Sequence, residues 1–168
     1  MNAMDVAELA QRFDADRPHL TSVAFQLLGS MSDADDAVQS AWLKASRSDF
    51  TTVDNLTGWF TTITAHEAVD QLRGRQRRAE LSAVESDDRV PGADEDALLA
   101  DSVSRALVVV LDQLSPAQRV AFVLHDVFAL PFETIGELLD RTPAAAKKLA
   151  SRARSRLQPH PPVRTPRT

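Results

Sequence analysis

Residues 130–157 read LPFETIGELLDRTPAAAKKLASRARSRL, two stretches of helical periodicity separated by one polar turn. In the first, Phe132, Ile135, Leu138 and Leu139 recur at the spacing that lays a buried stripe along about two helical turns. The stripe stops at Asp140. Thr142 and Pro143 then form a start signal, because a threonine oxygen accepts a free backbone N–H and the fixed φ of proline suits the first helical position. The helix opening at Pro143 has a narrow inward stripe of Ala146, Leu149 or Ala150, Ala153 and Leu157. Lys147, Lys148, Ser151, Arg152, Arg154, Ser155 and Arg156 are left outward, and no acid follows Arg141. Gly136 allows the close approach that a steep crossing of two short helices requires.

This pattern predicts a helix-turn-helix whose second helix meets DNA. Lysine and arginine neutralise phosphates, and the early residues of such a helix reach base edges. A solvated basic helix of an ordinary bundle would share the charge run. It would not explain why cap, turn and one-sided charge coincide.

Upstream, Ser115-Pro116-Ala117-Gln118 supplies a cap, an N1 proline and a capping-box glutamine. The helix it starts carries Val120, Ala121, Leu124, Val127 and Phe128 on one face and packs the DNA-reading pair. Val-rich 107–111 could suggest a strand, but Val103, Leu107, Val110, Leu111 and Leu114 fit a helical face. From Glu80 to Asp96 the chain has no sustained apolar period, contains Pro91-Gly92 and is acidic, which reads as a flexible linker.

The N-terminal half is also helical. Leu20, Val23, Ala24, Leu27 and Leu28 place a helix from Pro18 to Leu28, ended by Gly29. Ser32 and Asp35 form a capping-box pattern ahead of Ala34, Ala37, Val38, Ala41, Trp42 and Ala45, with Asp36, Gln39, Ser40 and Lys44 on the other face. Arg47 to Asn55 reads as a loop around Phe50, a residue type more often a core plug than a ligand platform. Thr57 caps a third helix through Trp59, Ile63, Val69 and Leu72, with Thr61, Thr62, His66 and Asp70 outward and Arg73, Arg75, Arg77 and Arg78 at its end. The fold class is therefore all-α: two small helical domains, 5–78 and 98–157, joined by an acidic linker, 79–97, with a proline-rich tail, 158–168, that cannot continue a helix.

The net charge of −5 over 168 residues hides a polarised chain. Residues 1–40 and 80–101 are acid-rich, whereas 71–78 and 141–167 are basic, which suggests two DNA contacts. With no cysteine, disulfides and thiolate metal sites are excluded, and no apolar run approaches the roughly 18 residues of a membrane span. His66-Glu67-Ala68-Val69-Asp70 imitates half of a helical zinc-protease motif, yet no third ligand is recognisable, and a His66–Asp70 link on the helix surface is the simpler reading.

LLGSMSDADDAVQSAWLKA, GWFTTITAHEAVDQLRGRQRR and LDQLSPAQRVAFVLHDVFALPFETIGELLDRTPAAAKKLASRARSRL follow one another in an order that resembles the extracytoplasmic-function group of bacterial sigma factors, over residues 15–157. The resemblance implies a non-enzymatic, cytoplasmic, cofactor-free subunit that directs core RNA polymerase to promoters. It implies that Asp36 and Gln39, with Ser40 and Lys44 beside them, contact the polymerase clamp helices; Ser40 stands where the family usually has glutamate. It implies a minus-ten surface of Phe50, Asn55, Thr61, Thr62 and His66, with Arg73, Arg75, Arg77 and Arg78 on backbone phosphates. The minus-thirty-five element would face Thr142, Lys147, Lys148, Ser151, Arg152, Arg154 and Arg156, while Leu149 departs from a common arginine.

The acidic segment resembles one that threads through the polymerase toward its active cleft. HDVF, LPF and RTPAAA are similar to the subgroup that carries an appended SnoaL-like domain, before which this sequence ends. An anti-sigma factor or such a C-terminal regulatory domain is a further partner on this reading, and no membrane insertion is expected. The competing readings are a stand-alone helix-turn-helix regulator and an enzyme built on His66, Glu67 and Asp70.

Overall fold

The computed structural model describes residues 4–81 and 102–158, and among them every regular element is helical. The order is α1 (Val6–Leu28), α2 (Met31–Arg47), α3 (Leu56–Leu81), α4 (Ser102–Leu111), α5 (Pro116–Phe122), a π turn (Val123–Val127), α6 (Phe132–Leu139) and α7 (Pro143–Leu157). The segment read as a linker lies outside the described residues from 82 onward, as does the tail from 159.

Helices α1, α2 and α3 pack together. Asp5 caps α1, accepting the Glu8 N–H at 2.9 Å, and the helix runs straight through Pro18. It therefore begins twelve residues before the expected Pro18 start. Leu9 and Phe13 extend the buried stripe N-terminally, and burying two such side chains, worth about 1.5–3 kcal/mol each, outweighs one lost backbone hydrogen bond. Phe13 meets the Phe60 ring edge-on at 5.0 Å and Trp42 at 5.4 Å. Helix α2 contributes almost only small residues, Ala34, Ala37, Val38, Ala41 and Ala45, so its axis can lie close to both neighbours.

Caps set where these helices start. Gly29 takes the left-handed conformation that ends α1, and Ser30, not Ser32, caps α2 by accepting the Asp33 N–H at 3.2 Å. With the left-handed residue at Gly29, the chain turns at once, and Ser30 is the first extended residue in reach of a free N–H. Likewise Asn55, not Thr57, accepts the Gly58 N–H at the start of α3 at 3.0 Å. Thr57 instead donates its hydroxyl to Asp16 on α1 at 2.7 Å.

The second group forms around α5. Ser115 and Gln118 make the full capping box, and no strand runs through Leu107–Leu111. Val110 and Val127, expected inward, are 39% and 43% exposed, while Val108 packs inward instead. For Val127 the cause is the π turn: the Phe128 N–H bonds to the Val123 carbonyl, so one extra residue enters the turn and rotates Val127 out. Ala129, with φ of 59°, then redirects the chain into α6.

Helices α6 and α7 are joined as their sequence predicts. Thr142 accepts the Ala145 N–H at 3.1 Å and Pro143 opens α7. Gly136 is required by the turn itself: a Cβ there would lie 2.6 Å from the Arg141 carbonyl. The buried residues of the two groups form one continuous cluster.

Candidate nucleic-acid interface

The outer face of α7 is built by elimination. Ala146, Ala150 and Ala153 are fully buried against the rest of the group, which turns Lys147, Lys148, Ser151, Arg152 and Ser155 to solvent. Lys147, Lys148 and Arg152 make no hydrogen bond or ion pair to another described residue, so their charges are available to an anionic partner. Thr142 is exposed beside them but spends its oxygen on the helix cap. The other two predicted cations are engaged. Arg154 donates to both carboxylate oxygens of Asp126 at 3.0 Å, and Arg156 reaches back to Gln118 at 3.2 Å.

The basic end of α3 divides in the same way. Arg77 and Arg78 are exposed. Arg75 donates to the Leu28 carbonyl at 2.8 Å and pairs with Asp33, and Arg73 donates to the Leu138 carbonyl at 2.9 Å and to Asp140 at 3.3 Å. These carbonyls end α1 and α6, where unpaired C=O groups and the negative pole of the helix attract cations.

Arg119, which the sequence reading passed over, belongs to the same set. Its Nε donates to the Gln26 carbonyl at 2.8 Å and its Nη1 to Asp112 at 2.9 Å, from a side chain only 10% exposed. Burial pulls its pKa below the ordinary arginine value, partly offset by Asp112. Helix α1 has no basic residue in its own last turn. Arg75 and Arg119 supply that charge from two different elements. The missed signal is this absence, since a helix end without its own cation is an opening for one from elsewhere.

The predicted minus-ten residues do not form one outward surface. Thr61 is buried, 4% exposed, because it gives its proton to the Thr57 carbonyl at 2.7 Å and receives His19 Nε2 at 3.0 Å. The expectation that it points outward is wrong by one helical position, since Thr61 faces α1. Thr62 is half-buried and bonded to the Gly58 carbonyl at 3.0 Å, and Asn55 is spent on its cap. Asn55, Thr61 and Thr62 instead line a cleft of about 450 Å³ whose other side is lined by Phe128, Pro131 and Thr134 of the second group. Phe50 is half-buried and packs against the core, and His66 is exposed.

Asp36 and Gln39 are exposed on α2, and Ser40 is half-buried. Lys44 pairs with Glu67 of α3, whose hydrogen bond raises the lysine pKa. With Glu67 on Lys44 and Asp70 on Arg73 at 3.8 Å, the carboxylates of the zinc-like motif are engaged elsewhere, and the expected His66–Asp70 link gives way to these pairs. No cluster of three metal-ligating side chains occurs among the described residues.

Residues 12–78 match the family Sigma-70 region 2, and residues 104–157 match Sigma-70, region 4. The chain belongs to the extracytoplasmic-function sigma factors. It is 41% identical to the sigma factor SigJ of Mycobacterium tuberculosis over 94% of this chain and 51% of SigJ, whose crystal structure matches with a TM-score of 0.61. It is 33% identical to the RNA polymerase sigma factor CarQ of Myxococcus xanthus, over 74% of this chain and 72% of CarQ. The sigma factor RpoE of Bartonella quintana, crystallised with the anti-sigma factor NepR, matches at 25% identity and a TM-score of 0.62, over 89% of this chain and 93% of RpoE. This sigma factor spans about half the length of SigJ. No described helix is long and apolar enough to cross a membrane.

Proposed function

We propose that the chain binds core RNA polymerase and directs it to promoters, with 5–78 as the polymerase and minus-ten module and 98–157 as the minus-thirty-five module. The observation that carries this reading is the outer face of α7, where Lys147, Lys148 and Arg152 stand without a partner among the described residues on the second helix of a helix-turn-helix in a sigma-factor chain. Asp36, Gln39, Ser40 and Lys44 meet the polymerase. Arg77 and Arg78 meet backbone phosphates near the minus-ten element, with His66 about three turns earlier on the same helix. The protein is a cytoplasmic non-enzyme on this reading, open to control by an anti-sigma factor or an appended regulatory domain.

Such a function requires the two helix groups to part. Elements about 25 base pairs apart lie about 85 Å apart along B-DNA, whereas a compact body of this size has a radius of gyration of about 15 Å. Parting them would break the contacts Arg119 to Gln26, Arg73 to Leu138 and Asp140, and the His19 and Phe128 rings edge-on at 5.6 Å, and would expose apolar residues of the shared buried cluster. Parting them would also open the cleft that holds Asn55 and Thr62.

Transcription in vitro with core enzyme and a promoter library tests the reading. Initiation from a defined subset of promoters only when the chain is added is the expected result. Capture of no polymerase, together with tight binding of duplex DNA by the chain alone, would replace it with a stand-alone regulator.

A further inference from the structure

The exposed hydroxyl of Ser151 is not free to choose its hydrogen-bonding role. Arg154 donates its Nη2 to Ser151 Oγ at 3.1 Å, one turn along α7. That guanidinium is itself fixed, since its Nη1 donates to both oxygens of Asp126 at 3.0 Å. Asp126 lies in the π turn, outside α7, with a side chain only 18% exposed. Its Oδ1 is 2.6 Å from Nδ1 of His125, whose ring stacks on Phe132 with centroids 3.9 Å apart and planes 13° from parallel. A chain of contacts therefore runs from the first residue of α6 to the middle of α7.

A serine hydroxyl ordinarily serves either donor or acceptor edges of a base. Here one lone pair already receives a cationic N–H, so the hydroxyl proton is directed away from Arg154, and no acceptor among the described residues takes it. A second donor approaching the remaining lone pair would come against the guanidinium. In the major groove, guanine offers N7 and O6, adenine N7 and thymine O4 as acceptors, but cytosine offers only its N4 donor.

We propose that Asp126, through Arg154, fixes Ser151 as a hydrogen-bond donor, so that this sigma factor disfavours cytosine at the one upstream-element position Ser151 reaches. Arg154 is then a positioning residue with no phosphate of its own, and Asp126 sets base choice from outside the reading helix. The inference rests on the promoter-recognition reading given above.

The test uses holoenzyme, with the full chain and core polymerase, on promoters randomised across the upstream element. Ser151→Ala identifies the position as the one column whose preference it changes. In the wild type, cytosine should be depleted there by about fivefold, the size of one net hydrogen bond. Arg154→Leu and Asp126→Asn should each remove most of that depletion while leaving every other column unaltered, and Arg154→Lys, which keeps a donor, should retain part of it. Asp126→Asn frees Arg154 to reach a phosphate, so its binding should also become more salt-dependent, by about one further phosphate contact. A merely structural Asp126 would weaken all columns alike and leave the salt dependence unchanged.

No cytosine depletion at the Ser151 column overturns the inference. So does a depletion that survives Arg154→Leu, or a uniform loss across columns in Asp126→Asn. Holoenzyme that initiates on no library member overturns the sigma-factor reading and this inference with it, whereas initiation with unchanged base preferences in all variants overturns the inference alone.

Discussion

Residues 73–78 and 147–156 are both basic stretches at or on the end of a helix, and the protein uses them in opposite ways. In the first, Arg73 and Arg75 turn inward to the carbonyl ends of α6 and α1, leaving Arg77 and Arg78 outside. In the second, Lys147, Lys148 and Arg152 face water while Arg154 and Arg156 are tied to Asp126 and Gln118. A charge run therefore fixes neither the duty of its members nor the number available to DNA. Whether a helix-end carbonyl or an acceptor side chain lies within reach of the guanidinium decides that.

The inward arginines should reveal themselves as stability, the outward ones as salt dependence. Arg119→Ala carries the largest expected effect, a loss of about 2 kcal/mol in urea unfolding, because two hydrogen bonds from a nearly buried charge disappear. If the groups are coupled mainly through this side chain, their single transition should also split into two. Arg75→Ala should cost about 1 kcal/mol, less because its side chain is 35% exposed and its pair with Asp33 is partly screened. A third variant, Arg73→Ala, should cost about 0.5 kcal/mol, since its partner Asp140 is 84% exposed. Arg152→Ala and Arg77→Ala should leave stability within about 0.5 kcal/mol, yet each should lower the slope of log affinity against log salt in holoenzyme binding by about 0.9. Were Arg152→Ala to destabilise the fold as much as Arg75→Ala, the division between inward and outward cations would be lost.

Much of the architecture was legible because it depends on local rules. Thr142-Pro143, the Ser115–Gln118 box and the Ala146, Ala150 and Ala153 stripe place their helices without reference to anything distant. Cap identity failed at Ser32 and Thr57, where the neighbouring Ser30 and Asn55 satisfy the same pattern and only the preceding chain direction chooses between them. Thr61 was misplaced because its burial comes from His19, 42 positions away in sequence. Arg119 was passed over for the same reason, its partner being the Gln26 carbonyl 93 positions upstream. The outer face of α7 was readable from composition and period, but the division between cations bound within the protein and those left over was not.

The π turn at Val123–Val127 has the form of an α-helix that has gained one residue. Val127, 43% exposed and without a place in the core, is the natural candidate for the surplus position. Deleting it would restore an unbroken α-helical register at little loss of packing, yet it would swing everything downstream by about 100° about the helix axis. Asp126 would no longer meet Arg154, and the left-handed turn at Ala129 would point α6 elsewhere. A single inserted codon, retained because it aims a later helix, would account for the π turn.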